Sequence, residues 1–502
     1  MVGLIPIDVC LFFNLRGGIV MSIETLEKVY PVPRERLIMR RDSYGVVAMV
    51  YPFGGTLRIL HPSEAVIIAL CDGTRTIGDI IDIVSRIFNI DRTRSRNYVE
   101  HIFNTYNEYF QFSNLPLEST VSYDPMDFVY SPKSFKNFRH YLESPLGITY
   151  VCTKVCHLRC KYCYANSVHI SDSMNSSIDS PLSLEILEKI VRDFKENGIK
   201  FALFSGGEPL LLKDIHKRVE LFTRNDIRVF ISTKYPVSRK KSEQLKKAGI
   251  KEIQVSLDSF IPDIEDELVG VPGMFYKLIR SIENLIEAGI EVWVNTVLTS
   301  KNIYEFPKFV RFLNKLGVKR VTPSLYTVPI GWASRYASEL LPSSEQLSWL
   351  SRELKQINPT REESINVDYF TQSNGISLDK QVQTMSSFQR QLCGGGRVGL
   401  VMLPDGRVTV CERLANLDWL IVGDLKKESV RDVWESERVR WFRNLPRELY
   451  RGTPCYSCQY FETICQPRGI CLLSSYALNG RFFGPDSMCP FVRRGRKNES
   501  KG

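Results

Sequence analysis

The sequence predicts an α/β chain: a partial (β/α)6 TIM-like barrel between a small N-terminal winged-helix-like domain and a C-terminal cysteine-rich extension. Three observations carry this expectation. Strand runs of β-branched residues alternate with amphipathic, glycine-ended helical runs over 146–345. Two strand runs and three short helical runs fill 30–113. The 13 cysteines are clustered, four at 152–163 and seven from Cys393 to Cys489, with 229 cysteine-free residues between the groups.

In the first region, 30–113, "YGVVAMVYP" and "GTLRIL" read as strands separated by the turn-prone "FGG". "HPSEAVIIALCDG" reads as a helix opened by Pro62–Ser63 and closed by Gly73. Thr76, followed three residues later by Asp79, is a capping signature for the amphipathic "TRTIGDIIDIVSRIF". "RSRNYVEHIFNTYNEYF" supplies a third helix, and Cys71 falls on an apolar helix face, where it is expected in the core. The stretch "HPSEAVIIALCDGTRTIGDII" resembles the peptide-recognition domain of pyrroloquinoline-quinone biosynthesis, which is fused to many peptide maturases. The resemblance implies that a leader peptide binds as an added strand, backbone hydrogen bonds giving affinity and side-chain pockets giving selection. A dimerising or DNA-binding winged helix is the alternative.

Composition sets the remaining bounds. With 43% hydrophobic and 24% charged residues in 502, the chain is ordinary globular material with room for roughly two to four domains. It holds no run of eighteen apolar residues, so no membrane partner is expected. The opening "MVGLIPIDVCLFFNLRGG" lacks a basic n-region and a small-residue cleavage site, which favours a start at Met21 over a signal peptide. The expected compartment is the cytoplasm, where thiols stay reduced and clustered cysteines favour metal over disulfides. Of the +10 net charge, +4 lies in the tail, where Arg493, Arg494, Arg496, Lys497 and Lys501 face only Glu499. The other basic residues are mixed with acids, as in "SRKKSEQLKKAG", so solvated faces are expected and no nucleic-acid partner.

The second region, 146–345, runs through "GITYVCT", "KFALFSG", "RVFIST", "IKEIQVSLD", "IEVWVNTVLT" and "VKRVTPSLY", each followed by a helical run. Six such units favour a barrel over a doubly wound sheet, and barrel chemistry sits at the C-terminal ends of the strands. Cys156, Cys160 and Cys163 fall just after the first strand, spaced C-x3-C-x2-C. Three thiolates on a short loop take three corners of an iron–sulfur cluster and leave one iron open, whereas a structural zinc closes its shell with four protein ligands. Cys152, inside "ITYVC", belongs to the strand. The second strand ends in Gly206, Gly207, Glu208 and Pro209: two glycines that let backbone approach a ligand, and a carboxylate that pairs with an ammonium group.

The three-cysteine loop one βα unit ahead of "GGEP" resembles the radical S-adenosylmethionine superfamily, over about 200 residues. That resemblance implies a [4Fe-4S] cluster on Cys156, Cys160 and Cys163 whose open iron chelates the amino and carboxylate groups of S-adenosylmethionine, with the GGEP strand holding the amino group. It implies the usual aromatic at Tyr162, ribose contacts at Ser256 and Asp258, and nucleoside or carboxylate contacts at Asn295 and near Ser232 and Thr233. The reduced cluster would pass one electron to the sulfonium, giving methionine and a 5′-deoxyadenosyl radical that removes a hydrogen atom, while the protein orients substrate and excludes water and oxygen. Tyr326 and "TVPIGWAS" are expected to line the substrate cavity, and His157 and His169 to serve as polar loop residues.

The third region, 390–492, carries Cys393-x12-Gly406-x4-Cys411, then Cys455, Cys458, Cys465, Cys471 and Cys489. Seven cysteines, an odd number and more than one zinc uses, argue against a disulfide framework and for two metal centres. The pattern resembles the SPASM extension of peptide and protein maturases. It implies two auxiliary [4Fe-4S] clusters, the first on Cys393, Cys411 and Cys471, the second on Cys455, Cys458, Cys465 and Cys489. The middle spacing, x2, x6 and x5, is looser than usual, and no eighth cysteine precedes Cys393 to complete the first cluster. A zinc-binding module is the alternative. Glu412 follows Cys411, where some relatives place an acidic catalytic base.

The sequence thus leads to an enzyme that modifies a ribosomally made peptide or protein by crosslinking, thioether formation, oxidation or decarboxylation, supplied by a low-potential electron donor of ferredoxin or flavodoxin type. An enzyme of tetrapyrrole or quinone-cofactor biosynthesis is the alternative. A non-enzymatic iron–sulfur carrier or peptide-binding redox sensor is the third possibility.

Overall fold

The computed structural model describes residues 27–490 apart from 35, 51–56, 118, 120, 131–139, 174–180, 357–365, 368–389 and 391. Met21, the "FGG" turn and the basic tail lie outside the described residues. The chain divides into two units, Met1–Phe138 and Arg139–Gly502.

In the first unit, β2 (Leu37–Asp42), β3 (Gly45–Val50) and β4 (Arg58–Leu60) form an antiparallel sheet in that order. The sequence pointed to β3 and β4 but not to β2, whose "LIMRRD" ends in three charged residues. Arg40 is nevertheless buried, with Asp42 as its ion-pair partner at 3.1 Å, so the charge is neutralised inside the strand. β1 (Tyr30–Pro33) pairs antiparallel with β5 (Phe110–Ser113), a contact across the whole unit. Three helices follow the sheet: α1 (Pro62–Leu70), α2 (Ile77–Phe88) and α3 (Arg92–Thr105). Thr76 and Asp79 form the capping box that their spacing predicted, and Ile77, Ile80, Ile81 and Val84 make the buried stripe of α2. Cys71 is fully buried in the same core.

The second unit is built on one ten-stranded sheet. Its centre is six parallel strands in sequence order: β6 (Gly147–Thr153), β9 (Phe201–Gly206), β10 (Arg228–Thr233), β11 (Glu252–Ser256), β12 (Glu291–Leu298) and β13 (Arg320–Leu325). The connecting helices α4 (Leu184–Glu196), α5 (Ile215–Thr223), α6 (Arg239–Lys247), α7 (Pro262–Val269), α8 (Met274–Glu287) and α9 (Phe306–Lys315) bury helical stripes. In α4 the stripe is Leu187, Ile190, Val191 and Phe194, opened by the Ser183 cap. This is the partial TIM-like barrel the sequence predicted, with β14 (Asn366–Val367) added parallel to β13.

The C-terminal cysteine-rich region is not a separate layer. β15 (Gly399–Met402) runs parallel to Gly147–Tyr150 of β6, and β16 (Arg407–Thr409) and β17 (Ile421–Asp424) extend the sheet antiparallel beyond it. Trp434, fully buried, donates from Nε1 to the Leu142 carbonyl at 3.0 Å and so ties this region to the approach to β6. Replacing it leaves both a cavity and an orphaned carbonyl. Trp434→Ala is expected to lower the unfolding free energy by about 3–5 kcal/mol, measured by chemical denaturation of the apoprotein.

Candidate cofactor site and cysteine centres

Because β6 and β9 are parallel neighbours, their C-terminal ends emerge side by side, and the contact there is backbone on backbone. Gly207 donates its N–H to the Thr153 carbonyl (2.7 Å), and Glu208 donates its own to Val155 (2.9 Å). A Cβ on Gly206 would lie 2.3 Å from the Thr153 carbonyl oxygen, and one on Gly207 2.1 Å from that of Val155. Gly206 also has φ +127°, which side-chain-bearing residues rarely adopt. The two glycines therefore allow β9 to seat Glu208 against the start of the cysteine loop.

That loop is pinned at several points. The short strands β7 (Val155–Cys156) and β8 (Val168–His169) pair in parallel, Cys163 N–H bonds the Cys160 carbonyl (3.0 Å), and the Arg159 and Lys161 amides bond the carbonyls of Val269 and Leu268 at the end of α7. Lys161 and Lys301 share Glu267 and Glu339 in a four-membered ion-pair ring. Cys156 is buried and forms no disulfide, nor do Cys160 and Cys163. Burial pushes the Cys156 thiol up to about 12, with the Glu208 charge next in importance. Cys160 is raised by burial, opposed by Lys234, and raised further by its neighbours Cys156 and Cys163. His157 packs edge-on against Tyr235 at 5.6 Å; its ring nitrogens are buried without a hydrogen-bond partner among the described residues, and burial pushes it down to about 4.

Glu208 is 2% exposed. Its Oε1 accepts from Thr233 Oγ1 (2.7 Å) and the Leu210 amide (3.0 Å), and its Oε2 from the Lys234 amide (2.9 Å). Three donors leave one carboxylate lone pair unused. Burial outweighs the three bonds and pushes the carboxyl up to about 7. Pro209 starts the 3-10 turn Pro209–Leu211 that Glu208 caps.

Asp258, just past β11, faces the cysteine loop. Its Oδ1 accepts the Val297 amide (2.7 Å); its Oδ2 takes Lys234 Nζ (2.5 Å) and the Tyr162 hydroxyl. It anchors the loop aromatic, a use that the ribose expectation did not contain. Lys234, buried between Asp258 and Glu265, was likewise missed, since a lysine at a strand end reads as solvated. Ser256 accepts from Gln254 Nε2 (3.1 Å), and Asn295 accepts from Ser324 Oγ (2.9 Å). Tyr326 is buried in a cluster with Leu268 and Leu340, against which Tyr162 packs. Glu412, whose carboxyl burial raises, accepts from Tyr164 OH (3.0 Å) and Ser205 Oγ. Tyr164 follows Cys163 and Glu412 follows Cys411, so this contact joins two cysteine loops.

The other seven cysteines fall into two sets. Burial pushes Cys411 up to about 12, followed by the charges of Cys393 and Cys471. Burial likewise pushes Cys455 up to about 12, followed by Cys489, Cys465 and Cys458. Gly469 (φ +84°) passes so close to Cys393 that a Cβ there would lie 2.8 Å from the cysteine Cβ. The soft thiols fit clusters, which spread their thiolates over separate irons.

The sequence matches the family model "Radical SAM superfamily" over residues 150–325 and the SPASM model "Iron-sulfur cluster-binding domain" over 393–459. Residues 150–325 of the chain are a radical S-adenosylmethionine domain and residues 393–459 a SPASM domain. Its cofactors follow from the two domains: S-adenosylmethionine and a [4Fe-4S] cluster for the first, auxiliary iron–sulfur clusters for the second. The AdoMet-dependent heme synthase of Oleidesulfovibrio alaskensis is 24% identical over 69% of this chain and 87% of that protein. The mycofactocin maturase MftC of Mycolicibacterium smegmatis is 24% identical over 71% and 86%, and the PqqA peptide cyclase of Granulibacter bethesdensis 25% over 69% and 88%. Among solved structures, Streptococcus suis SuiB shares the fold with TM-score 0.62 at 17% identity, over 91% of this chain and 99% of SuiB. Among the described residues no helix is long and apolar enough to cross a membrane.

The Gly207 approach has a direct consequence. Gly207→Ala is expected to push the cysteine loop off β9, so that anaerobic reconstitution yields about four fewer iron atoms per chain while the C-terminal centres load normally, measured by iron assay.

Proposed function

We propose that this chain is a radical S-adenosylmethionine peptide maturase that modifies a side chain of a ribosomally made precursor. The observation that carries the reading is extent. The likeness to SuiB, a protein also solved with its precursor peptide SuiA, runs over 91% of this chain and 99% of SuiB. The first unit ends its three-stranded sheet in β2 and β4, and an edge strand is where an extended peptide adds by backbone pairing. The proposed role of residues 30–113, a winged-helix-like leader-recognition domain, fits that geometry. MftC and PqqA peptide cyclase, named for peptide work, support the same substrate class. Tetrapyrrole modification is the second reading, favoured by heme-synthase relatives at equal identity.

In this proposal Cys156, Cys160 and Cys163 hold the cluster, and Gly206 and Gly207 bring backbone close to it. Glu208, oriented by Thr233 and by the turn at Pro209, receives the ammonium group of S-adenosylmethionine in its remaining lone pair. Ser256 and Asn295 offer a hydroxyl and an amide at neighbouring strand ends, and Asp258 holds Tyr162 and the loop in register. When bound, the cluster and S-adenosylmethionine supply a one-electron cleavage that ends in hydrogen-atom abstraction. Glu412, kept protonatable by burial and held by Tyr164 and Ser205, is placed to move a proton. Cys393, Cys411 and Cys471 hold one auxiliary centre, and Cys455, Cys458, Cys465 and Cys489 the other. The electron comes from a low-potential donor of ferredoxin or flavodoxin type in the cytoplasm.

Reconstituted protein given dithionite and S-adenosylmethionine is expected to release 5′-deoxyadenosine and to hold about twelve iron atoms per chain. The Cys156→Ala/Cys160→Ala/Cys163→Ala variant should release none; equal cleavage, or zinc in place of iron, would reject the assignment. Peptide and tetrapyrrole part company in a mass assay: the product of a short reading frame beside the gene should change mass, and conversion of a tetrapyrrole instead would sink the peptide reading. The Glu208 carboxyl, raised to about 7, must be ionised to receive an ammonium group. Affinity for S-adenosylmethionine should therefore fall as pH drops through about 7, and Glu208→Gln should bind more weakly and lose this pH dependence, both read by equilibrium dialysis.

A further inference from the structure

Cys455, Cys458, Cys465 and Cys489 line one small cavity, which Arg390 and Asp486 also line. Those two form an ion pair with side chains 1% and 0% exposed, so their wall of the cavity faces the interior. The loop from Cys455 to Cys458 belongs to the surface instead: Tyr456 and Ser457, between the two cysteines, are both exposed.

A face of cationic and aromatic groups continues from that loop. The Arg451 guanidinium lies 5.9 Å from the Tyr456 ring centroid, and Arg481 Nη2 donates to the Arg451 carbonyl (3.1 Å). Beside Arg481, Phe482 stacks on Tyr476 (4.9 Å) and meets Trp419 edge-on (5.5 Å). Trp419 and Tyr476 are exposed. Exposed aromatic groups rimmed by charge mark docking surfaces, where Trp, Tyr and Arg carry most of the binding energy.

The charge on this face is positive. Arg447 takes Glu462 (3.1 Å) and Arg407 takes Asp418 (3.4 Å), while Arg451 and Arg481 enter no ion pair among the described residues. Exposed Glu448, in the turn before Arg451, is the carboxylate left against them. From Trp441 onward, ten basic residues stand against four acidic ones, six of the chain's ten net positive charges. An acidic partner fits such a surface, and complementary charge speeds its arrival.

We propose that this face docks an acidic one-electron carrier of flavodoxin or ferredoxin type over the Cys455–Cys458 loop. Docked there, the reduced carrier loses one electron and the centre held by the four cysteines gains it; no bond is made or broken. Electron-transfer encounters are small and transient, which suits a compact patch of three aromatic rings and two arginines. The position over a metal-centre loop favours a carrier over the precursor peptide. The inference rests on the four-cysteine centre and the donor class proposed above.

The test titrates oxidised flavodoxin into the anaerobically reconstituted full chain and follows binding by calorimetry. Affinity should fall about tenfold between about 50 and 300 mM salt. Arg451→Glu/Arg481→Glu should weaken binding about tenfold or more and slow flavodoxin-driven release of 5′-deoxyadenosine to match, while dithionite-driven release stays within about twofold of wild type. Trp419→Ala should weaken binding about fivefold. Lys240→Glu/Arg280→Glu, the same charge change on α6 and α8, should leave it within about threefold. If the arginine reversal costs iron, Arg451→Gln/Arg481→Gln carries the same test with about threefold expected. Full affinity in the arginine variants overturns the proposal, as does equal weakening in the α6 and α8 variant, which would reduce the effect to net charge. Weakened binding of the precursor peptide with flavodoxin binding intact would assign the face to the peptide. Missing auxiliary iron in the wild type would reject the cluster reading itself, and the docking proposal with it.

Discussion

The approach of two backbones at the ends of β6 and β9 governs the site. Gly206 and Gly207 lie where a Cβ would meet a carbonyl oxygen at 2.3 and 2.1 Å, and the hydrogen bonds from residues 207 and 208 to Thr153 and Val155 exist only because those positions are bare. Cys156 follows Val155 directly, so the same contact sets the distance between the Cys156 thiol and the Glu208 carboxyl. The cysteine loop and the buried Glu208 carboxylate are thereby built as one rigid corner of the sheet, already in place before any ligand arrives.

Buried charge is the second constraint. Lys234 is enclosed with Asp258 and Glu265, both carboxyl side chains 0% exposed, and Asp258 also takes the Tyr162 hydroxyl. Each ion depends on the others for compensation, because an unpaired charge there would cost several kcal/mol. The barrel floor under the cysteine loop is therefore held by polar bonds of defined direction. That suits a loop whose thiols have to keep fixed positions more than an apolar floor would.

Much of this was legible in the chain. Six β-branched runs ended by glycine-closed helices yield the six parallel strands, because each run packs on both faces and each helix on one. The cysteine spacing and "GGEP" were readable because they are local. What escaped was non-local. β1 and β5 pair across about eighty residues with no turn to announce them, and "LIMRRD" is a strand through its pairing with β3. Lys234 and Arg390 carry ordinary surface residue types; their burial comes from carboxylates that other elements deliver. β15 lies inside "RVGLVMLPDG", which read as part of a cysteine module, while its hydrogen-bond partner is the first barrel strand.

That last pairing bears on how the protein is made. β6 has β9 on one side, but its other neighbour is not synthesised until residues 399–402 leave the ribosome. Until then the strand that delivers Cys156 has an open edge, and closing so long a loop is slow. A truncation ahead of β15 would leave the central sheet exposed along a hydrophobic strand, a surface prone to pair with other chains.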